Sequence, residues 1–415
     1  MSEYLPRLRT TLDVTASPFA DQPGIVLRDP FGYSDDLLLI PESQLTILAC
    51  LEGAHTELDL QTLLTRRQGG RLVAMDGVRG LVSLLDERGF LETDAFLRRR
   101  DERHSAFETA RERAPAHAGV AYPEQEEELR QTFDERFRDG VKTEGSSLMG
   151  LAAPHVSPEG GWASYTAAYR QLDASLSDRT FVILGTSHYG EPERFGLTRK
   201  AFSTPLGIAE TDEELVSALV QSAPQSVMVE DYCHAVEHSI EFQVVFLQYR
   251  MRSPVRILPI LCGPFVESLA TGKPPESSEA VRRFFDALAD LADRHRNKLF
   301  WLLGVDLAHI GVRYGDAVAV RAGEGRMAEV AEQDGERLER ICAGEADAFF
   351  ELVRPGADEL KWCGFSPLYT FLASLRRLTE IRGRVLHYQQ WNIDPQSVVS
   401  FAGLEFVEKT RTRQD

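Results

Sequence analysis

Continuous apolar runs separated by helical patterns dominate the chain from residue 148 onward. Three of these runs, at residues 148–155, 180–188 and 299–309, are rich in aliphatic residues, and each ends on a histidine. Runs of this length are typical of strands that are buried on both faces of a parallel sheet. Because helical patterns alternate with them, the sequence predicts an α/β fold, with a mixed, largely parallel sheet flanked by helices.

The other patterns continue this alternation to the end of the chain. A helix predicted at residues 213–222 is preceded by Thr211, which stands three residues before Glu214 in the spacing of a capping box. An amphipathic helix is predicted at residues 237–247. The other predicted strands are 194–202, 255–261, 384–388 and 397–406, and the other helices are 164–176, 279–295, 318–342, 346–353 and one that opens at 362–367.

Residues 1–97 predict a separate, small α/β domain. Two short apolar strands precede three helices, and a short strand follows the third helix. This order predicts a winged-helix-like domain, but acidic residues outnumber basic ones in it, which argues against a DNA reader. The order also resembles the PqqD-like modules, which bind a peptide as an added edge strand. An accessory helical domain is the alternative interpretation. The predicted strands are 24–30, 37–41 and 89–93, and the helices are 42–51, 58–67 and 78–88.

The segment that follows is highly charged. Residues 98–145 have few apolar positions at helical spacing, and a Pro- and Gly-containing stretch interrupts them. This pattern predicts a charged helical linker. The second domain is therefore expected to span residues 146–415, which hold the strand and helix alternation.

Composition narrows the class of protein further. The 415 residues carry a formal net charge of -18, which argues against a nucleic-acid partner. No run of about 18 apolar residues is present, so we expect no membrane span, and the N-terminus lacks the apolar core of a secretory signal. The chain has five cysteines, which is an odd number, and they are scattered along the sequence. This favours free thiols and a cytoplasmic protein.

The candidate chemistry lies where the apolar runs end. His155, His188 and the Asp306/His309 pair each follow a predicted strand. Ligands of open α/β sheets bind at the carboxyl ends of the strands, so we expect these side chains to meet at one edge. Two imidazoles suit a transition metal, and a short-range Asp/His pair suits general acid/base work. Taken singly, each histidine could instead be a side chain without a ligand, and Asp306 could be a helix cap.

Two further groups could complete such a site. His238 and Glu241 stand three residues apart on one predicted helix and therefore share a face. They could hold a metal, or they could orient its ligands, and we favour the second role for Glu241. Cys363 is predicted at a helix start, where a thiol pKa falls and thiolate forms. Cys262 is an alternative thiol, although buried cysteines are usually small hydrophobic residues.

Taken together, these residues resemble the Memo family, whose bacterial and archaeal branch is called AmmeMemoRadiSam system protein B. The motifs occur in family order over about residues 150–405, and the Glu-His-Ser-Ile-Glu string is the most distinctive. The matching pieces are Pro154-His155, Pro158-Glu159-Gly160-Gly161, Gly185-Thr186-Ser187-His188, Glu237-His238-Ser239-Ile240-Glu241, Asp306-x-x-His309 and Cys363-Gly364-x-x-Pro367.

The resemblance implies a fold similar to the class III extradiol dioxygenases, which are non-haem iron enzymes. It implies metal ligation by His155, His188 and Cys363, with His309 as the acid/base. It also implies a partner from a radical SAM system.

The first hypothesis is accordingly a mononuclear iron or copper protein with an oxidoreductase pocket for an unknown small molecule or peptide. Asp306, His238 and Glu241 would support the site. Two alternatives stay open: a zinc-dependent hydrolase, and a protein that binds metal or peptide without turnover.

Overall fold

The computed structural model describes residues 4–17, 21–138 and 148–408. The chain divides into two units, Met1–Thr109 and Ala110–Asp415. In the described residues, no helix has both the length and the apolar character that a membrane crossing requires.

The first unit packs four helices with a three-stranded antiparallel sheet in the order β1-β2-β3. Its core includes Leu27, Leu60, Leu85 and Phe90, all fully buried. The strand expected at 89–93 is reduced to one bridge, between Leu8 and Leu91. The elements are β1 (Asp13–Ala16), β2 (Gly24–Arg28), β3 (Leu37–Pro41), α1 (Leu45–Ala49), α2 (Glu57–Arg67), α3 (Asp76–Glu87) and α4 (Asp94–Thr109).

The second unit alternates strands and helices along most of its length. Its strands are β4 (Glu112–Arg113), β5 (Leu148–Ala153), β6 (Thr180–Thr186), β7 (Phe195–Leu197), β8 (Ala201–Thr204), β9 (Gly207–Thr211), β10 (Val227–Val229), β11 (Val255–Cys262), β12 (Leu299–Gly304), β13 (His309–Gly311), β14 (Ile381–Asp394) and β15 (Ser397–Glu408). Its helices are α5 (Glu126–Arg136), α6 (Pro158–Tyr169), α7 (Glu213–Ser222), α8 (Cys233–Val236), α9 (His238–Met251), α10 (Val266–Thr271), α11 (Glu279–Arg294), α12 (Arg326–Cys342), α13 (Ala346–Val353) and α14 (Phe365–Leu375).

These strands form one mixed sheet, which confirms the predicted fold class. Its main path runs β13-β15-β5-β12-β6-β11-β9-β8-β4, with β14 paired to β15. The central strands β5, β12, β6 and β11 are parallel, and β15 joins β5 antiparallel. Because β5, β12 and β6 are adjacent and parallel, their carboxyl ends lie at the same edge of the sheet.

The boundary between the units falls inside the segment that was expected to be a linker, residues 98–145. Helix α4 belongs to the first unit, whereas β4 and α5 belong to the second. In the second unit Leu129 and Phe133 of α5 are buried, and Phe133 packs against Trp162 and Phe246. These few aromatic and aliphatic side chains anchor the segment in spite of its many charges. Residues 139–145 lie outside the described residues.

Several element boundaries differ from the sequence predictions for local reasons. Helix α6 begins at Pro158, because proline is favoured in the first helical turn. Helix α7 is capped by Asp212, whose side chain accepts from the backbone N–H of Leu215, and Thr211 instead ends β9. The strand expected at 194–202 is two strands, β7 and β8. Helix α12 begins at Arg326 rather than at residue 318.

Candidate metal centre

The edge of the sheet where β5, β6 and β12 end carries the candidate centre. His155 follows β5, His188 follows β6 and Asp306 follows β12. The three strands are buried along most of their length. The strand register therefore delivers these side chains to one place, as the sequence predicted.

Helix α9 brings a third histidine to this edge. The helix is buried on nearly all sides and is not amphipathic, since it packs against β6, β11 and β12. Its close approach depends on two glycines: a Cβ at Gly304 would meet the carbonyl of Ser239, and one at Gly185 would meet the Ser239 hydroxyl. The Ser239 hydroxyl donates to the carbonyl of Thr186 (2.7 Å). His238, at the start of α9, is thereby held beside the strand ends.

Three imidazoles converge at this point. The ligand nitrogens of His155, His188 and His238 lie within 4.8 Å of one another. The ring centroids of His155 and His188 are 5.0 Å apart, and the rings of His188 and His238 are stacked at 5.0 Å. Imidazole nitrogens bind a transition ion at about 2.0–2.1 Å, so small side-chain movements would bring all three to one ion. The site is compatible with a metal.

Polar contacts of Nδ1 orient each ring: hydrogen bonds for His155 and His188, and an ion-pair contact for His238. Nδ1 of His155 lies 2.9 Å from the carbonyl oxygen of Gly304, and Nδ1 of His188 lies 2.9 Å from Glu237 Oε1. Nδ1 of His238 is 3.1 Å from the same carboxylate oxygen. These acceptors favour a proton on Nδ1, so that Nε2 is the nitrogen that each ring would offer to a metal.

Glu237 is the central acceptor of the site and was not among the predicted site residues. Its buried carboxylate accepts from the backbone N–H groups of His188 (2.9 Å) and His238 (3.0 Å), and it caps α9. Burial alone would raise the pKa of Glu237, but His188 and His238 hold it well below its usual range. The sequence signal for this role was an acidic residue directly before a helix start.

Burial and the neighbouring groups shift the pKa values of His155 and His188 in opposite directions. Burial, together with His188 and His238, lowers the pKa of His155 well below its usual value. Burial also acts to lower the pKa of His188, but the charge of Glu237 and the Cys363 thiol outweigh it and raise that pKa. Glu237 therefore attracts positive charge to the His188 side of the site.

Cys363 lies against the three-histidine cluster. Its Sγ is 3.2 Å from Nε2 of His155, and its carbonyl accepts from the Thr186 hydroxyl (2.9 Å). The thiol does not lie in a helical turn, because α14 begins two residues later, at Phe365. Burial raises the pKa of Cys363, in contrast to the lowering that we expected from a helix start. This sulfur thus lies beside the ring nitrogen of His155 that would face an ion.

Asp306 and His309 line the same region. Asp306 Oδ1 accepts from the backbone N–H of His155 (2.9 Å), so its carboxylate fixes the neighbouring strand end. Nδ1 of His309 lies 2.9 Å from the carbonyl oxygen of Leu307 and 3.1 Å from that of Lys361. Its Nε2 is thus the unprotonated nitrogen. Burial is the main cause that lowers the pKa of His309 to about 4, so the ring is neutral near pH 7.

Glu241 does not join the cluster. Its buried carboxylate pairs with Arg113 and accepts from the Tyr122 hydroxyl and from the backbone N–H groups of Ala116 (3.0 Å) and His117 (2.9 Å). We expected Glu241 to form hydrogen bonds that orient the metal ligands. This expectation was wrong, because the hydrogen bonds and the ion pair of its carboxylate are with residues 113–122. Helical spacing shows which face a residue shares but not which segment packs there.

Comparisons with known proteins cover the second unit, and two relatives align over more residues than that unit contains. The family model "Memo-like protein" matches residues 113–405. A MEMO1 family protein of Aquifex aeolicus is 26% identical over 390 residues, with 94% of this chain and 97% of the relative covered. One from Thermus thermophilus is 30% identical over 343 residues, with 82% and 94% covered.

Other relatives match a shorter part of the chain. A MEMO1 family protein of Methanosarcina barkeri is 28% identical over 296 residues, which cover 70% of this chain and 98% of the relative. Among solved structures, that of an uncharacterized protein from Escherichia coli K12 covers 62% of this chain and 99% of that chain, at 11% identity and a TM-score of 0.36.

Proposed function

Because this chain belongs to the Memo-like protein family, we propose that it is a metal-dependent enzyme with a mononuclear site of His155, His188 and His238. One observation carries the proposal: three imidazoles converge, and each has Nδ1 directed at an acceptor, so that Nε2 is the nitrogen that would bind the ion. Outer partners of this kind are typical of metal-binding histidines.

Iron or copper is the proposed ion, and a small molecule or peptide is the proposed substrate. Imidazole with a neighbouring thiol suits these ions and disfavours magnesium and calcium. When bound, such an ion would supply a Lewis acid and the electron transfers of oxidoreductase chemistry. Cys363 is the proposed fourth donor, which keeps the ligand set of His155, His188 and Cys363 within the proposal.

The protein groups around the ion have separate tasks in this proposal. His309 accepts a proton from the substrate at Nε2, since its ring is neutral and its Nδ1 is occupied by backbone carbonyls. Asp306 holds the strand end that carries His155. Glu237 balances charge at His188 and fixes its tautomer.

A zinc-dependent hydrolase is the second candidate function. The three histidines at the site are the observation that supports it. Three imidazoles with an open fourth position are the ligands of one class of catalytic zinc site. In that case His309 would take the proton of the attacking water.

Metal analysis of the wild type, purified without oxygen, separates the two candidates. We expect about one equivalent of iron or copper for the oxidoreductase, with oxygen consumption when catechol-like compounds are added. One equivalent of zinc without oxygen consumption would favour the hydrolase.

Single substitutions separate the two ligand sets. We expect His238→Ala to lower metal content as strongly as His155→Ala or His188→Ala, and Cys363→Ser to lower it less. Metal content that survives the His155→Ala/His188→Ala double substitution would refute the site itself.

A further inference from the structure

Residues 113–122, which we call the strap, are fastened to the start of α9 by a buried ion pair. Arg113 and Glu241 are both fully buried and paired. Arg113 also donates from Nε to the carbonyl of His234 (2.8 Å) and from Nη2 to that of Glu237 (2.9 Å). A buried ion pair that lost one partner would leave an uncompensated charge, so the strap is firmly held. The strap also lies within the region that the family model matches.

This attachment places the ring of His117 against that of His238. The two centroids are 5.6 Å apart in an edge-to-face arrangement, and His117 contacts Phe242 in the same way at 5.6 Å. Nε2 of His117 lies 3.0 Å from the carbonyl oxygen of Val236 and donates to it. The backbone N–H of His117 donates to Glu241. His117 is thus fixed at both its backbone and its ring.

The polar contact that orients the ring of His238 is longer than those of the other two histidines. Its side chain is 28% exposed, close to the 25% of His188 and far above the 2% of His155. Its Nδ1 is farther from Glu237 Oε1 (3.1 Å) than is Nδ1 of His188 (2.9 Å), and the two rings share that oxygen. Ring packing therefore has a larger part in holding His238 than in holding His155.

We propose that the strap is a positioning element of the metal centre and that His117 is a positioning residue for the imidazole of His238. This inference rests on the proposed metal-binding function. The strap acts through packing: the ring of His117 restricts the rotamers of His238, so that Nε2 faces the ion before it binds. Outer groups that orient a ligand change metal affinity by about 10- to 100-fold.

Cobalt(II) binding to the full-length protein tests the proposal. We expect His117→Ala to weaken Co²⁺ binding about 10-fold and to alter the visible d–d spectrum, which reports coordination geometry. His117→Phe keeps an aromatic ring there and should restore most of the affinity. His387→Ala is the control, because His387 is bonded to Ser164 and lies outside the cluster. Unchanged affinity in His117→Ala, or an equal loss in His387→Ala, would overturn the proposal.

A double-mutant comparison tests whether the strap acts as one unit. Glu241→Gln loosens the strap, and His117→Ala removes its contact with His238. If the strap works through His117, the double variant should lose less Co²⁺ binding free energy than the sum of the two single losses. Full additivity would contradict the proposal.

A measurement without metal separates this proposal from the function on which it rests. Two-bond ¹⁵N–¹H spectra of the metal-free protein should show His238 as a single Nδ1–H tautomer in the wild type and as a mixture in His117→Ala. The same tautomer in both proteins would refute the positioning role. Absence of Co²⁺ binding by the wild type would instead refute the metal-binding function.

Discussion

At the scale of single residues, the site depends on which groups accept hydrogen bonds from its histidines. A backbone carbonyl lies against Nδ1 of His155, whereas the Glu237 carboxylate accepts from Nδ1 of His188 and lies 3.1 Å from Nδ1 of His238. A carbonyl fixes a tautomer without adding charge. The carboxylate of Glu237 also adds charge and, together with Cys363, it raises the pKa of His188 against the effect of burial, whereas burial prevails at His155 and lowers its pKa.

Glu237→Gln tests the role of this charge. The amide keeps nearly the same shape, but it loses the negative charge beside His188 and His238. We expect metal affinity to fall about 10- to 100-fold, as measured by competition with a chelator. Glu230→Gln is a control, since Glu230 binds Thr198 and Lys200 away from the cluster. An affinity equal to that of the wild type would show that the carboxylate does not tune the site.

The lowered pKa of His309 predicts that the stability of the fold depends on pH. Its pKa is lowered to about 4 in the folded metal-free protein, whereas an unfolded histidine titrates near 6.5. Between these values the unfolded chain binds more protons, so the contribution of neutral His309 is complete above about pH 6.5 and is lost as pH falls towards 4. His309→Gln should therefore lose less stability than the wild type over this interval, as followed by urea unfolding. Parallel curves for the two proteins would contradict the assignment.

At the scale of elements, the centre depends on how closely α9 can approach the sheet. The strand ends supply His155 and His188, but His238 and Glu237 reach them because Gly185 and Gly304 present no Cβ to Ser239. The bond from the Gln243 side chain to the carbonyl of Pro154 (2.9 Å) fixes the helix on the same strand end. The sequence of α9 can indicate a helix, but how closely this helix approaches the sheet depends on glycines in β6 and β12.

Gly304→Ala tests this contact. A methyl group would meet the backbone of Ser239, which cannot rotate away, so we expect a loss of about 1–3 kcal/mol in the free energy of unfolding and reduced metal affinity. Gly335→Ala is the matched control, because nothing lies within 4 Å of its added Cβ in α12. That substitution should be stabilising, by about 0.5–1 kcal/mol. Equal effects at the two positions would refute the proposed approach of α9.

At the scale of the whole molecule, the chain holds two units with separate cores. Leu85 is fully buried in the first core, and Leu303 is fully buried in the second, on a strand that ends at the candidate centre. The family model matches residues 113–405, which all lie in the second unit. The three histidines of the candidate metal centre all belong to the second unit.

Leu85→Ala should therefore destabilise the first unit and leave the metal centre intact. Removal of a buried leucine side chain costs about 2–5 kcal/mol, so we expect an earlier thermal transition with Co²⁺ affinity unchanged. Leu303→Ala should cost a similar amount and also weaken Co²⁺ binding, because β12 carries Asp306 at its end. A loss of Co²⁺ affinity in Leu85→Ala would contradict this separation.

Much of this protein follows from its sequence because the relevant signals are local. Apolar runs mark buried strands, and the residues that end parallel strands meet at one edge, so His155, His188, Asp306 and the fold class were predictable. The tertiary structure alone decided the other features. It brought His238 next to His155 and His188, paired Glu241 with Arg113 of the strap, and placed the Glu237 carboxylate against both His188 and His238. These contacts depend on how segments far apart in the chain pack together. Burial likewise raised the pKa of Cys363, because desolvation depends on the surrounding fold rather than on adjacent residues.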